Sequence, residues 1–259
     1  MVVNLGFTLQ DKVVLITGGG GGFGHALSHA FAGVGAKVLV TDISDHGQIV
    51  ANEVGGSFFQ ADISDIKNTR TLFENCVKYA GDIDILVNNA GLQHISPIED
   101  FPEQDWMRLV HIMLIAPFQL TKYVIPAMKN QRWGRIINLS SIHGLVASPF
   151  KSAYVSAKHG IVGLTKTAAL ELGEFGITVN AICPGYSNTS LTKNQIAKQA
   201  RVRGISENDV VEKVLMEPAA IKNLIEPDEI ASLALFLASD DARSITGAAL
   251  SIDSGWTAR

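Results

Sequence analysis

The sequence predicts an α/β fold: a single doubly wound parallel sheet of seven strands, with helices on both faces. Three observations carry this. Short apolar, β-branched runs alternate with longer stretches of helical period along the whole chain. A glycine-rich turn, Gly18 to Gly22, separates the first run from the first helical stretch. Later runs end in small or polar residues, at Asp42, Asn88–Gly91 and Pro184–Gly185, where a parallel sheet receives its ligands.

The first strand is Lys12–Thr17. Gly18–Gly22, Phe23 and Gly24 follow, then an amphipathic helix over His25–Val34. Glycines permit a tight turn and let backbone N–H groups approach a pyrophosphate, with the helix N-terminus favouring negative charge. The spacing is Thr17-Gly18-x-x-x-Gly22-x-Gly24. The second strand, Lys37–Thr41, ends at Asp42–Ile43. An acid there accepts hydrogen bonds from both ribose hydroxyls of an adenosine and repels a 2′-phosphate. No arginine is adjacent in sequence, so NAD is expected rather than NADP. Ser44 is the better candidate to cap the next helix. The third strand, Ser57–Ala61, leads to Asp62–Ile63, which either flank an adenine or start the helix near Asp65.

The fourth strand, Asp84–Val87, runs into Asn88–Asn89–Ala90–Gly91, a stretch suited both to tying strand ends and to touching a cofactor. Gln93 and His94 follow on a loop at the same edge. A long helical region, about 103 to 129, is interrupted by Pro117 and Pro126. The fifth strand is Arg135–Leu139, then a helix runs from about Ser152 to Phe175. The sixth strand, Thr178–Cys183, stops at Pro184–Gly185. Residues 186–223 form a polar, helical insertion placed as a lid, from which Thr189 and Gln195 can reach a ligand. A helix from Pro227 and a last strand, Gly247–Asp253, complete the set.

No repeat or linker divides the 259 residues, and an apolar fraction of 47% is enough for one large core, so 1–259 reads as one domain. A net charge of −4 and pI near 6.0 give no sign of nucleic-acid or anionic-membrane binding. Cys76 and Cys183 lie far apart in apolar surroundings without metal-ligand spacing, so reduced core thiols and no metal are expected. The N-terminus has no basic-then-apolar leader, and no unbroken apolar run nears about 20 residues. A soluble, cytoplasmic enzyme is the expected class.

The chemistry points to the stretch after the fifth strand. Tyr154 and Lys158 stand one helical turn apart on one face. An ammonium beside a phenol favours the phenolate and lowers its pKa. Such a phenol serves as general base toward an alcohol or general acid toward a ketone. Ser141, just past a strand end, can hydrogen-bond the same substrate oxygen.

Taken together, Thr17-Gly18-x-x-x-Gly22-x-Gly24, Asn88–Gly91, Ser141, Tyr154-x-x-x-Lys158 and Pro184–Gly185 with Thr189 resemble the short-chain dehydrogenase/reductase family over the whole chain. That resemblance implies a Rossmann-type sheet, a homotetramer and hydride transfer at a nicotinamide. It makes Tyr154 the acid/base, Ser141 the polariser of the substrate oxygen, and Lys158 the residue that tunes Tyr154 and binds the nicotinamide ribose. Thr189 would meet the carboxamide and Asn89 the ribose side. Gly91–His94, Ile98–Pro102, His143–Ser148, Lys151–Tyr154 and Gly255–Arg259 are similar to a bacterial group within that family that oxidises D-3-hydroxybutyrate with NAD. The implied carboxylate ligands are Gln93, His143, Lys151 and Gln195, with Tyr186 and Trp256 walling the methyl end. A small β-hydroxy acid needs a cation and several donors a short carbon chain away from its hydroxyl. Two positions depart from the pattern. Met113 stands where many relatives carry an asparagine that links the catalytic lysine to a water chain, and a thioether donates no hydrogen bond. Tyr186 stands where some carry tryptophan. A dehydrogenase of another small hydroxy acid or a sugar shares every cofactor residue, and a nucleotide-binding regulator without catalysis is the reading from a different class.

Overall fold

The computed structural model describes residues 8–258. Residues 1–7 and Arg259, assigned above to the same domain, lie outside the described residues. Seven strands form one all-parallel sheet in the order β3-β2-β1-β4-β5-β6-β7. They are β1 Val13–Thr17, β2 Lys37–Asp42, β3 Ser57–Gln60, β4 Ile85–Asn88, β5 Gly134–Leu139, β6 Ile177–Pro184 and β7 Ala249–Ile252. Every residue of β1, β4, β5 and β6 is buried, which is why these strands read as unbroken apolar runs rather than alternating ones. The order reverses between β1 and β4, and ligand crevices open at such a reversal.

Each face of the sheet has its own core. On one, α1 Gly22–Gly33, α2 His46–Glu53 and α9 Pro227–Ala238 bury Leu27, Phe31, Val50, Ile230 and Leu235 against Ile16, Val40 and Val87. On the other, α3 Ile66–Ala80, α4 Glu103–Val110, α5 Ala116–Gln131 and α6 Ser152–Leu172 cover Leu15, Leu86 and Ile136. The insertion contains α7 Ser190–Arg203 and α8 Glu207–Val210 over a small separate core of Ile196, Val210, Leu215, Met216 and Ala219. Cys76 and Cys183 are buried free thiols, as expected.

Three local expectations are corrected. The prolines do not interrupt the long helix, which runs continuously over Glu103–Gln131. Its irregularity is a π-turn, His111–Ile115, in which the Ala116 N–H reaches back to the His111 carbonyl. Pro117 follows in the first turn of α5, where a missing N–H is least costly. By length and composition this helix could cross a membrane, but half of its apolar window is buried within the fold. Asp65, not Asp62, caps α3, accepting from Lys67 N at 2.7 Å and Asn68 N at 3.2 Å. Asp62 instead closes a turn by accepting from Ser64 N. Asp45 occupies the cap position of α2, while Ser44 Oγ accepts from His46 N at 3.2 Å.

A buried polar chain fixes the strands that bear the site. Asn88 Nδ2 donates to Asn138 Oδ1 (2.8 Å), and Asn138 Nδ2 donates to Thr165 Oγ1 (2.9 Å). Thr165 Oγ1 then donates to the Ile161 carbonyl at 2.7 Å, so β4, β5 and α6 are locked together. Replacing Asn138 by Ala strands two buried partners, and the unfolding free energy should drop by roughly 2–4 kcal/mol. Denaturant unfolding measures it; a loss well under about 1 kcal/mol would show that the chain does not carry the alignment.

Candidate active site

The glycine turn packs against the end of β4. Gly18 has φ +63°, and a Cβ there would sit 2.7 Å from Ala90 Cα. A Cβ on Gly24 would come within 2.1 Å of the Gly18 carbonyl, so α1 can start this close to the strand only without a side chain. Gly21 provides no side-chain cap to α1, leaving first-turn N–H groups free for an anion. A cleft of about 310 Å³ opens beside it, lined by Gly18, Gly22, Phe23, Asn89, Ala90, Gly91, Tyr154, Lys158 and Thr189. It adjoins a chamber of about 130 Å³ bounded by Asp42, Ile43, Asp62 and Ile63. These shapes and donors fit a dinucleotide: a small apolar chamber, a carboxylate, an uncapped helix start and a longer cleft.

Two members of the expected cofactor set act differently. Thr17 is buried, and its hydroxyl accepts from Asn89 N and Ala90 N, both at 3.0 Å, so it ties β1 to β4. Asn89 Nδ2 reinforces this tie by donating to the Thr17 and Gly18 carbonyls at 2.9 Å. Gly24 serves the close approach just described. Asp42 is held in place by Gly20 N on Oδ2 and Ser44 N on Oδ1, each 2.9 Å away. Sequence reasoning missed Arg108, Leu92 and Ile112 in the same chamber. Arg108 lies on α4, far along the chain from Asp42, and only the fold shows that its charge acts on Asp62.

At the other end lies a cavity of about 90 Å³. Gln93, Ser141, His143, Lys151, Tyr154, Pro184, Gly185, Tyr186, Thr189 and Gln195 all line it, as do the unanticipated Ile142, Ser187 and Thr192. Ser141 Oγ accepts from His143 N at 3.1 Å, which leaves its hydrogen available to a ligand oxygen. Trp256 is not on the wall. It stands behind His143, with ring centroids 6.3 Å apart, and its indole donates to the Leu215 carbonyl at 3.1 Å.

Burial dominates the electrostatics. It raises the Tyr154 pKa, opposed by the Ser141 hydroxyl and reinforced by the Tyr186 phenol. The expectation that Lys158 lowers the tyrosine pKa is therefore not met in the free chain. The tyrosine's own burial is the largest cause, and Lys158 is itself desolvated, with its pKa lowered to about 8. Its Nζ donates to the Leu139 carbonyl at 2.6 Å and lies 5.6 Å from the Tyr154 ring centroid. Met113 is buried in the π-turn beside Gly91 and offers no donor.

The second charged group is more unusual. Lys151 Nζ lies 3.3 Å from His143 Nε2, and both residues are buried. Among the described residues no carboxylate pairs with Lys151. Burial lowers the Lys151 pKa. It also pushes His143 down to about 4, with the Lys151 charge adding to the effect. A neutral His143 accepting from Lys151 carries its proton on Nδ1, an atom with no hydrogen-bond partner among the described residues. The arrangement is a desolvated cation and an imidazole with one unpartnered nitrogen beside a serine and a tyrosine, and an anionic group relieves it.

His143 ordinarily titrates at 6.5 and does so at about 4 in the fold. The unfolded chain therefore takes up its proton first. This contribution to stability is complete above pH 6.5 and disappears as pH falls through 4, a loss of at most about 3.5 kcal/mol. Urea titrations across that range should show a shallower decline for His143→Gln than for the parent; equal slopes would contradict the assignment.

With this geometry in place, comparison with known proteins is informative. A family profile described as Enoyl-(Acyl carrier protein) reductase matches residues 19–257. A Rhizobium meliloti protein named D-beta-hydroxybutyrate dehydrogenase is 46% identical, covering 96% of this chain and 100% of the relative. A Cupriavidus necator protein of the same name is 40% identical, covering 97% and 100%. The crystal structure of levodione reductase superposes with a TM-score of 0.88 at 32% identity, covering 97% of this chain and 99% of that one. The chain belongs to the short-chain dehydrogenase/reductase family of oxidoreductases.

Proposed function

We propose that this protein catalyses the reversible, NAD-dependent oxidation of D-3-hydroxybutyrate to acetoacetate. The observation that carries the reading is the buried Lys151–His143 pair, 3.3 Å apart, in the same cavity as Ser141 and Tyr154. A hydroxy acid of this size places its carboxylate on the pair while its hydroxyl reaches Tyr154. Gln93 and Gln195 supply the remaining donors. The names of the relatives from Rhizobium meliloti and Cupriavidus necator support the same substrate.

When bound, the nicotinamide supplies a hydride acceptor at carbon and a positive charge near Tyr154. Tyr154, as phenolate, takes the hydroxyl proton as C3 gives up its hydride, and the alcohol becomes a ketone. Ser141 donates to the reacting oxygen throughout. Lys158, oriented by its hydrogen bond to the Leu139 carbonyl, adds its charge in favour of the phenolate. Asp42 accepts from the adenosine ribose and disfavours a 2′-phosphate. The segment 186–223 acts as the lid that excludes water, through Thr189, Thr192 and Gln195. Assembly as a homotetramer fits the exposed apolar side chains of Met107, Phe118 and Leu170.

Purified protein should form NADH from D-3-hydroxybutyrate, with far lower rates from the L isomer and from the methyl ester. Lys151→Ala should erase the preference for the acid over the ester. Tyr154→Phe should lower kcat by roughly 10²–10⁴-fold with cofactor affinity intact. A higher kcat/KM with NADP than with NAD would overturn the role of Asp42. Turnover of polyols but not of hydroxy acids would overturn the substrate.

A further inference from the structure

The cleft and its cavity leave one cluster of chemically competent side chains unexplained. His25 and His29 stand one turn apart on α1, and Glu53 is the last residue of α2. His25 Nε2 lies 3.2 Å and His29 Nε2 3.1 Å from the same carboxylate oxygen, Glu53 Oε2. The two imidazoles are tilted by 38° with centroids 4.5 Å apart. All three ligand atoms fall within 4.8 Å of one another. The side chains are 44–49% exposed, so an ion can enter from solvent. None of the three lines the cleft or its chambers.

We propose that His25, His29 and Glu53 form a surface binding site for a zinc-like divalent transition-metal ion that bridges α1 and α2. The ligand set decides the class of ion. Two imidazole nitrogens and one carboxylate suit zinc and its first-row neighbours, whereas calcium and magnesium require a shell of oxygens. The spacing also suits it. Zinc bonds of about 2.0–2.1 Å in a tetrahedron put ligand atoms about 3.3 Å apart, close to the two observed His–Glu separations. Each imidazole presents Nε2 as metal ligand once its proton resides on Nδ1, and water completes the shell. Binding here ties together the helices that follow β1 and β2. Because α1 begins at the glycine turn, the ion also stiffens the helix whose free N-terminus faces the cleft.

Tag-free protein titrated with zinc chloride in a calorimeter tests this. One ion per chain is expected at the site, and His25→Ala/His29→Ala should remove one binding event. Glu53→Gln should weaken it by about tenfold. Because the side chains are exposed, circular dichroism of the variants should match the parent. At zinc 100-fold above the dissociation constant, the parent melting temperature should rise by roughly 5 °C. Magnesium should give no rise, and the double variant should lose the zinc-dependent shift. Equal stoichiometry and affinity in parent and double variant, or no zinc-dependent shift in the parent, would overturn the proposal. A magnesium shift equal to that of zinc would overturn the class of ion.

Discussion

All seven strands run in one direction, so their carboxyl ends share one edge, and every group in the cleft depends on that alignment. The glycine turn leaves β1, Asp42 ends β2, Asn89 follows β4, Ser141 follows β5 and Gly185 follows β6. Hydrophobic burial of both sheet faces holds the layers together, but burial is non-directional and does not set the register of these ends. Directional bonds do. Thr17 and Asn89 tie the β1 turn to the β4 turn, and Asn88, Asn138 and Thr165 tie β4, β5 and α6. The polar residues at these strand ends therefore align the sheet edge at the same time as they furnish its cleft.

Much of this was legible in the residues because burial on both faces leaves a mark in composition. β1, β4, β5 and β6 contain no exposed position to interrupt an apolar run, so strand and boundary could be read within a residue or two. Gln93, His143, Lys151 and Gln195 come together in one cavity from four separate chain segments, which the family pattern anticipated and periodicity alone could not. The misreadings share a cause. A π-turn is a change of hydrogen-bond register, and prolines at 117 and 126 looked like the more obvious breaks. Thr17, Trp256 and Arg108 have roles set by partners distant in sequence: the β4 turn, the Leu215 carbonyl and Asp62. The His25–His29 spacing is visible in sequence, but only the fold brings Glu53 to it.

The electrostatic character of the site comes from desolvation more than from pairing. Lys151, Lys158 and His143 are all pushed toward their neutral forms, and Tyr154 is pushed the same way. A site built from salt bridges would be satisfied before its ligands arrived. Here the buried cation has no counter-charge among the described residues, so the free state carries a cost that an anionic ligand removes. In the proposed reaction, selectivity for an acid over its neutral analogue rests on the cost of leaving Lys151 unpaired.

The segment over the cavity is secured in an informative way. Ser187 bridges to Ile225 at its base. From the last turn of the chain, the Ser254 carbonyl accepts from Ala220 N (2.8 Å) and Ile221 N (3.0 Å). Trp256 then reaches Leu215, packing against the same small core as Tyr186. Ser254 and Trp256 thus bracket a segment that begins about seventy positions earlier, at Tyr186. Displacing the segment over the cavity therefore requires breaking the bonds that Ser254 and Trp256 make to it.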